Sequence, residues 1–171
     1  MGYRILGILC GLLALVGCTQ QPQPVRRLSE IQEPDSDLMA QMAFNMQMAS
    51  AADKACREWV NNDSAAYVLD DFGFWYAKII RQHADSLQTG EHILLHMQIA
   101  ELNGSLVADV EELVVVGSGE LPMAINRSIK QMSRGEQMRI IAPWYTAYGT
   151  EGTRIIKPYT NLVITLTINN E

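Results

Sequence analysis

Apolar residues along the chain change period once. From Asp37 to Asn61 they recur at helical spacing, with Met39, Met42, Met46 and Ala49 forming a stripe that Cys56 and Val60 roughly continue. The segment contains no Gly or Pro, and Asp35 or Ser36 can cap its start. "NNDS" ends the helical pattern, and "AAYVL" and "GFWYAKII" read as short strands around the turn "DDFG". From residue 92 the period is mainly two. In "HILLHMQIAEL", Ile93, Leu95, Met97 and Ile99 share a face, and "NG" at 103–104 turns the chain into "SLVAD". "LVVVG" is a further strand. "LPMAINRSIKQM" is a short helix with Pro122 near its first position and Ile125, Ile129 and Met132 on one side. "EQMRIIA" and "NLVITLTI" alternate again, the latter presenting Leu162, Ile164, Leu166 and Ile168 together. Between these two strands lies "APWYTAYGTEG", whose Trp144, Tyr145 and Tyr148 are more than a connection needs.

The amino-terminal pattern is different. Arg4 precedes the apolar run "ILGILCGLLALVG", long enough for a signal-peptide core and short for a bilayer span. The run ends in "LVGC", which resembles the lipobox of bacterial lipoproteins, in which the cysteine, here Cys18, is lipidated. Residues 1–17 are thus expected to be a lipoprotein signal peptide. Polar, proline-bearing residues 18–36 are a flexible tether, 37–61 an amino-terminal helix and 62–171 a single domain. A lipid at Cys18 would tether the protein to a membrane with no spanning helix. The chain's 13 basic and 19 acidic residues give a net charge of −6, and losing Arg4 with residues 1–17 takes this to −7. No basic cluster offers a footprint for nucleic acid. With Cys18 lipidated, Cys56 remains as a lone thiol, read as a small buried apolar residue, with an intermolecular bridge as the alternative. The methionine stripe reads first as buried packing and also leaves open a dimer or client contact through this helix.

The order of strand, "NG" turn, strand, "VVVGSGELPMAINRSI", "QMSRGEQMRIIAP", "AYG", "IIKP" and "NLVITL" resembles the FKBP-type proline isomerases. The pieces that carry the resemblance are Gly117, Met132 to Glu136, Pro143, Ala147 to Gly149, Ile156 to Pro158, and Leu162 to Ile168. It is strong from about residue 95 onward. With "DFGFWYAKI", a helix and a lipobox upstream, the chain looks like the FKBP-like lipoproteins grouped with gliding-motility isomerases. The resemblance implies an α+β fold, a curved antiparallel sheet wrapped around a short α-helix, preceded here by the amino-terminal helix. It also implies proline-containing polypeptide clients, a place in the cell envelope facing the periplasm (the outer membrane being favoured, because Thr19 rather than Asp follows Cys18) and no cofactor.

Such an isomerase makes and breaks no covalent bond. Rotation about an X–Pro bond is opposed by a barrier of ~18–20 kcal/mol, and a dry apolar pocket favours the twisted amide, whose carbonyl is less charge-separated. By resemblance, Tyr148 is the loop tyrosine whose hydroxyl orients the client. Leu121, Ile156, Ile164, Met97 and Val107 are expected as pocket walls, and Ile125 stands where a floor tryptophan is usual. Met97 and Val107 replace common aromatics. Ala108 stands where an aspartate is usual, and its neighbour Asp109 should point to the opposite face unless a bulge intervenes. Pro122 falls where the family offers a backbone N–H, which proline lacks.

Other chemistry is thin. His92 and His96 share a strand face, but no third ligand accompanies them, so they read as surface residues and no metal is expected. "GSGE" lacks the Lys of a phosphate loop. "DVEE" at 109–112 reads as the solvated start of a strand. Ser128 and Ser133 have no base beside them. Two readings remain: a membrane-tethered proline isomerase of low turnover, or a non-catalytic FKBP-like binding module or chaperone of the envelope.

Overall fold

The structure, a computed structural model, describes residues 35–82 and 85–169. The signal-peptide and lipobox residues up to Cys18, the tether through residue 34 and His83 lie outside it. The first element is α1, Ser36–Asn62, which starts where Asp35 caps it, the carboxylate accepting from the Asp37 amide at 3.3 Å. Among the described residues no helix is long and apolar enough to cross a membrane.

The three methionines of the stripe do not lie in the buried face of α1. Met39, Met42 and Met46 are 51%, 52% and 72% exposed, whereas Ala52 and Cys56 are 2% and 0% exposed. The face that packs takes in the later part of the stripe, Ala49, Cys56 and Val60, together with Ala52, mostly small residues that allow close approach to the domain. The methionines lie on the helix's first three turns. Large side chains further on, with polar ties, fix the end of α1: Trp59 donates to the Leu102 carbonyl at 3.2 Å, and Arg139 pairs with Asp63 at 3.1 Å.

Six strands follow: β1 (Val68–Leu69), β2 (Trp75–Ile80), β3 (His92–Glu101), β4 (Leu106–Val115), β5 (Gln137–Ala142) and β6 (Leu162–Ile168), with α2 (Met123–Ile129) between β4 and β5. They form one antiparallel sheet in the order β1-β2-β5-β6-β3-β4. β6 is paired on both sides, and its Leu162, Ile164, Leu166 and Ile168 have no exposure. Burying each such side chain stabilises the fold by about 1.5–3 kcal/mol, and a one-residue slip of β6 would forfeit all four. The inner face of β3 and the apolar side of α2 (Ala124, Ile125 and Ile129) enter the same buried cluster.

β4 corrects the sequence reading. "SLVAD" and "LVVVG" are not two strands but one, paired with β3 from Leu106 to Val115, so "DVEE" lies mid-strand. Asp70 holds α2 in place. The DDFG turn lets its carboxylate accept from the Phe72 amide at 3.0 Å and from Arg127 of α2 at 3.1 Å, while the Arg127 guanidinium lies 4.3 Å from the centre of the Phe72 ring.

Candidate functional site

Strand parity and one folded loop together make a concavity. On β3, Met97 and Ile99 face inward, and across the ladder they meet Val110 and Ala108. Parity therefore puts Ala108, Val110 and Glu112 on that same face. The segment before α2 adds Glu120, Leu121 and Pro122, and the β5–β6 loop adds Tyr148, Thr153, Ile155 and Ile156, closing a cavity of about 290 Å³. That is near the lower end of the ~300–1,000 Å³ range of ligand pockets. Two other concavities, of about 630 Å³ beside Asp85, Glu91 and Arg134 and about 310 Å³ beside His96, Asp109 and Glu111, are lined mainly by polar side chains.

The three aromatics of the β5–β6 loop divide between packing and the cavity. Pro143 leads into one 3-10 turn, Trp144–Thr146, and Trp144 is held by the Asn161 side chain, which accepts from its amide at 3.0 Å. The Gly149 amide donates back to Trp144, Gly152 to Tyr148, and Thr153 to Ile156. Gly152 is required in this fold-back: its φ is +65°, and a Cβ there would collide with the Ile156 carbonyl. Trp144 and Tyr145 serve packing, with ring centres 5.5 Å apart. Tyr148 alone of these three aromatics turns into the cavity.

Tyr148 is half-buried, and burial pushes its phenol up, with the Glu112 charge adding to the effect. Both causes keep the hydroxyl protonated at neutral pH, so it is a donor. It makes no hydrogen bond with a described residue.

The structure gathers Met97, Leu121, Pro122, Tyr148 and Ile156 around the cavity. Val107 is half-buried against the core and does not line it, and Ile125 and Ile164 are fully buried in the core. The ladder is irregular between Ile99 and Ala100, opposite Val107. This bulge does not bring Asp109 inward. Its carboxylate stays on the outer face, 2.6 Å from the His96 ring and 3.1 Å from Gln98, contacts that hold it below the usual carboxylate range. His92 is exposed, and no group of three metal-ligating side chains forms among the described residues. The carboxylate that does reach the cavity from β4 is that of Glu112, which sequence reasoning missed along with Ile99, Val110, Glu120, Thr153 and Ile155. Parity counted from Met97 through the NG turn would have found Val110 and Glu112.

Residues 86–169 match the model of the FKBP-type peptidyl-prolyl cis-trans isomerases. This part of the chain resembles an FKBP-type domain. The fold is similar to that of FkpA from Escherichia coli, with a TM-score of 0.63 and 15% identity over 79% of this chain and 64% of that one. The chain thus spans less than two thirds of FkpA. A peptidyl-prolyl cis-trans isomerase from Pseudomonas syringae pv. tomato DC3000 gives a TM-score of 0.58 at 18% identity, over 71% of this chain and 93% of that one. AtFKBP13 gives 0.56 at 16% identity, over 62% and 98%. A comparison with curated proteins finds no match. In this FKBP-like fold the Met132–Glu136 turn has a visible purpose: the Glu136 carboxylate accepts from the Ser133 amide at 2.9 Å and pairs with Lys78 at 2.8 Å, tying β2 to the start of β5.

Proposed function

We propose that the protein is a peptidyl-prolyl cis–trans isomerase that assists the folding of exported proteins. It is tethered at the cell envelope by lipid on Cys18, in the outer membrane facing the periplasm. The observation that carries this reading is the Tyr148 hydroxyl, turned into a largely apolar cavity and hydrogen-bonded to no described residue. The proline ring enters between Met97, Leu121 and Ile156, and the hydroxyl donates to a client carbonyl, fixing the peptide while the X–Pro bond turns. Met97, Leu121 and Ile156 offer the client an apolar surface, which favours the less polar twisted amide. Each 1.36 kcal/mol removed from the ~18–20 kcal/mol barrier gives a tenfold gain in rate.

Turnover is expected to be low. Aliphatic residues replace the family's usual aromatics, Ala108 brings no carboxylate, and Pro122 offers no N–H. Those same substitutions favour a second reading, a binding module or chaperone that grips clients without useful catalysis. The narrower kinship with FKBP-like lipoproteins grouped with gliding-motility isomerases rests on the lipobox, the helix after it and "DFGFWYAKI" at 71–79. A dimer or client contact through α1 is part of the same proposal, its support being the exposed Met39, Met42 and Met46.

A protease-coupled assay on a proline peptide, run beside aggregation suppression of a proline-free client, separates the readings. Isomerisation that falls at least tenfold in Tyr148→Phe supports catalysis through the hydroxyl. Suppression with no isomerisation supports the module.

A further inference from the structure

Two carboxylates stand in the walls of an otherwise uncharged cavity. Glu112 comes from the middle of β4 and Glu120 from the segment ahead of α2, and no Lys or Arg lines the cavity with them. Both are exposed, and neither forms an ion pair with a described residue. A bound peptide therefore meets Met97, Ile99, Leu121 and Ile156 with its proline while its neighbouring side chains pass two unpaired acids. We propose that Glu112 and Glu120 make this a site for prolines flanked by Lys or Arg, and that they discriminate against prolines flanked by Asp or Glu. The proposal rests on the reading of the cavity as an X–Pro site.

Three further observations support it. The Glu112 charge reaches the Tyr148 phenol, so it acts inside the cavity and not only at its edge. The carboxylates of Asp109 and Glu111, by contrast, are engaged on the outer face by His96, Gln98 and Asn169. The chain as a whole carries a net −6, which draws cationic segments toward any acidic surface it presents. An exposed ion pair contributes a factor of about 1.4 to five, and two acids sharing one cation are less than additive, so together they give a preference of about three- to tenfold, weakened by salt.

The experiment compares four short peptides with the full chain: Lys–Pro, Leu–Pro, Glu–Pro, and a Leu–Pro peptide carrying Lys six residues from the proline. Binding is read by anisotropy of a labelled peptide, and turnover by coupled proteolysis. Lys–Pro is expected to lead Leu–Pro by about three- to tenfold and Glu–Pro to trail, with the distant lysine gaining less than twofold. In the Glu112→Gln, Glu120→Gln double variant the ranking collapses, and Glu112→Lys inverts it, an outcome a poorly folded variant cannot produce. Leu–Pro bound as well as Lys–Pro, an equal gain from the distant lysine, or an unchanged ranking in the double variant would overturn the proposal and leave the X–Pro reading standing. Failure of every peptide to bind would remove both.

Discussion

The hydroxyl of Tyr159 donates to the side chain of Asn45 at 2.8 Å, joining the β5–β6 loop to α1 across 114 positions of sequence. The ring packs edge-on against Phe44 and Trp144, with centres 5.7 and 4.8 Å away. The backbone of Tyr159 has φ +58°, a left-handed conformation costing roughly 1–2 kcal/mol in a residue with a Cβ, which these contacts offset. Nearby, the hydroxyl of Tyr145 donates to Asp53 of α1, and burial followed by that carboxylate pushes its phenol up. Helix α1 therefore braces the loop that presents Tyr148.

Cutting that brace should affect the site from a distance. The double variant Asn45→Ala, Asp53→Ala leaves two tyrosine hydroxyls without their partners and is expected to lose about 1–3 kcal/mol in urea denaturation. Proline-peptide binding should weaken with it, although neither residue touches the cavity. Unchanged stability and binding would show that α1 is a passenger on the domain.

Glu136 gives the fold a dependence on acid. Burial raises the pKa of its carboxyl, but the Lys78 ammonium and the amides of Ser133 and Gln82 outweigh it and hold the group below its ordinary value. The folded chain then binds this proton less readily than the unfolded chain. The resulting stability is present above the unfolded value, near pH ~4.3, and is lost as pH falls through the lower folded one. Glu136→Gln should destabilise the domain clearly at pH 7 and much less near pH 3. A constant difference between variant and wild type across that range, read by thermal melts, would contradict this account.

Cys56 should be inert in the folded protein. It has no exposure, and burial followed by the charge of Asp53 pushes its thiol up to about 12. A thiol-labelling reagent at pH 8 should modify it only at the rate at which the chain opens, and denaturant should release the reaction in full. Fast labelling of native protein would revive the intermolecular bridge.

How far the sequence disclosed all this depended on how many constraints met at each residue. β3 and β6 were legible because strict alternation gives each side chain one possible face, and Asp35 was legible as a cap because a helix end needs an acceptor there. The methionines mislead because large apolar side chains usually mark a buried face, while Ala52 and Cys56, being small, are what let α1 lie close. Glu112 is hidden by its charge: an acid just ahead of a run of valines reads as the solvated start of a strand, when it is a mid-strand residue facing a cavity. The resemblance places Ile125 on the pocket floor and Ile164 in its wall. As aliphatic residues they sink into the core instead of reaching the cavity.

Pro122 offers the most direct test of what the cavity lacks. It occupies the cap position of α2 with φ −50° and ψ 150°, lines the cavity and has no N–H to offer a bound peptide. Pro122→Ala restores an amide at that point. The released backbone freedom should cost about 0.4–1 kcal/mol of stability. A hydrogen bond gained from the client is worth ~0.5–1.5 kcal/mol, so affinity for an X–Pro peptide should rise about two- to tenfold. Calorimetric titration reads the affinity, and the same peptide with its proline replaced by alanine shows whether the gain belongs to the proline site. A variant that folds, melts slightly earlier and binds no better would mean that the peptide backbone takes its hydrogen bond elsewhere, leaving the hydroxyl of Tyr148 as the donor to account for first.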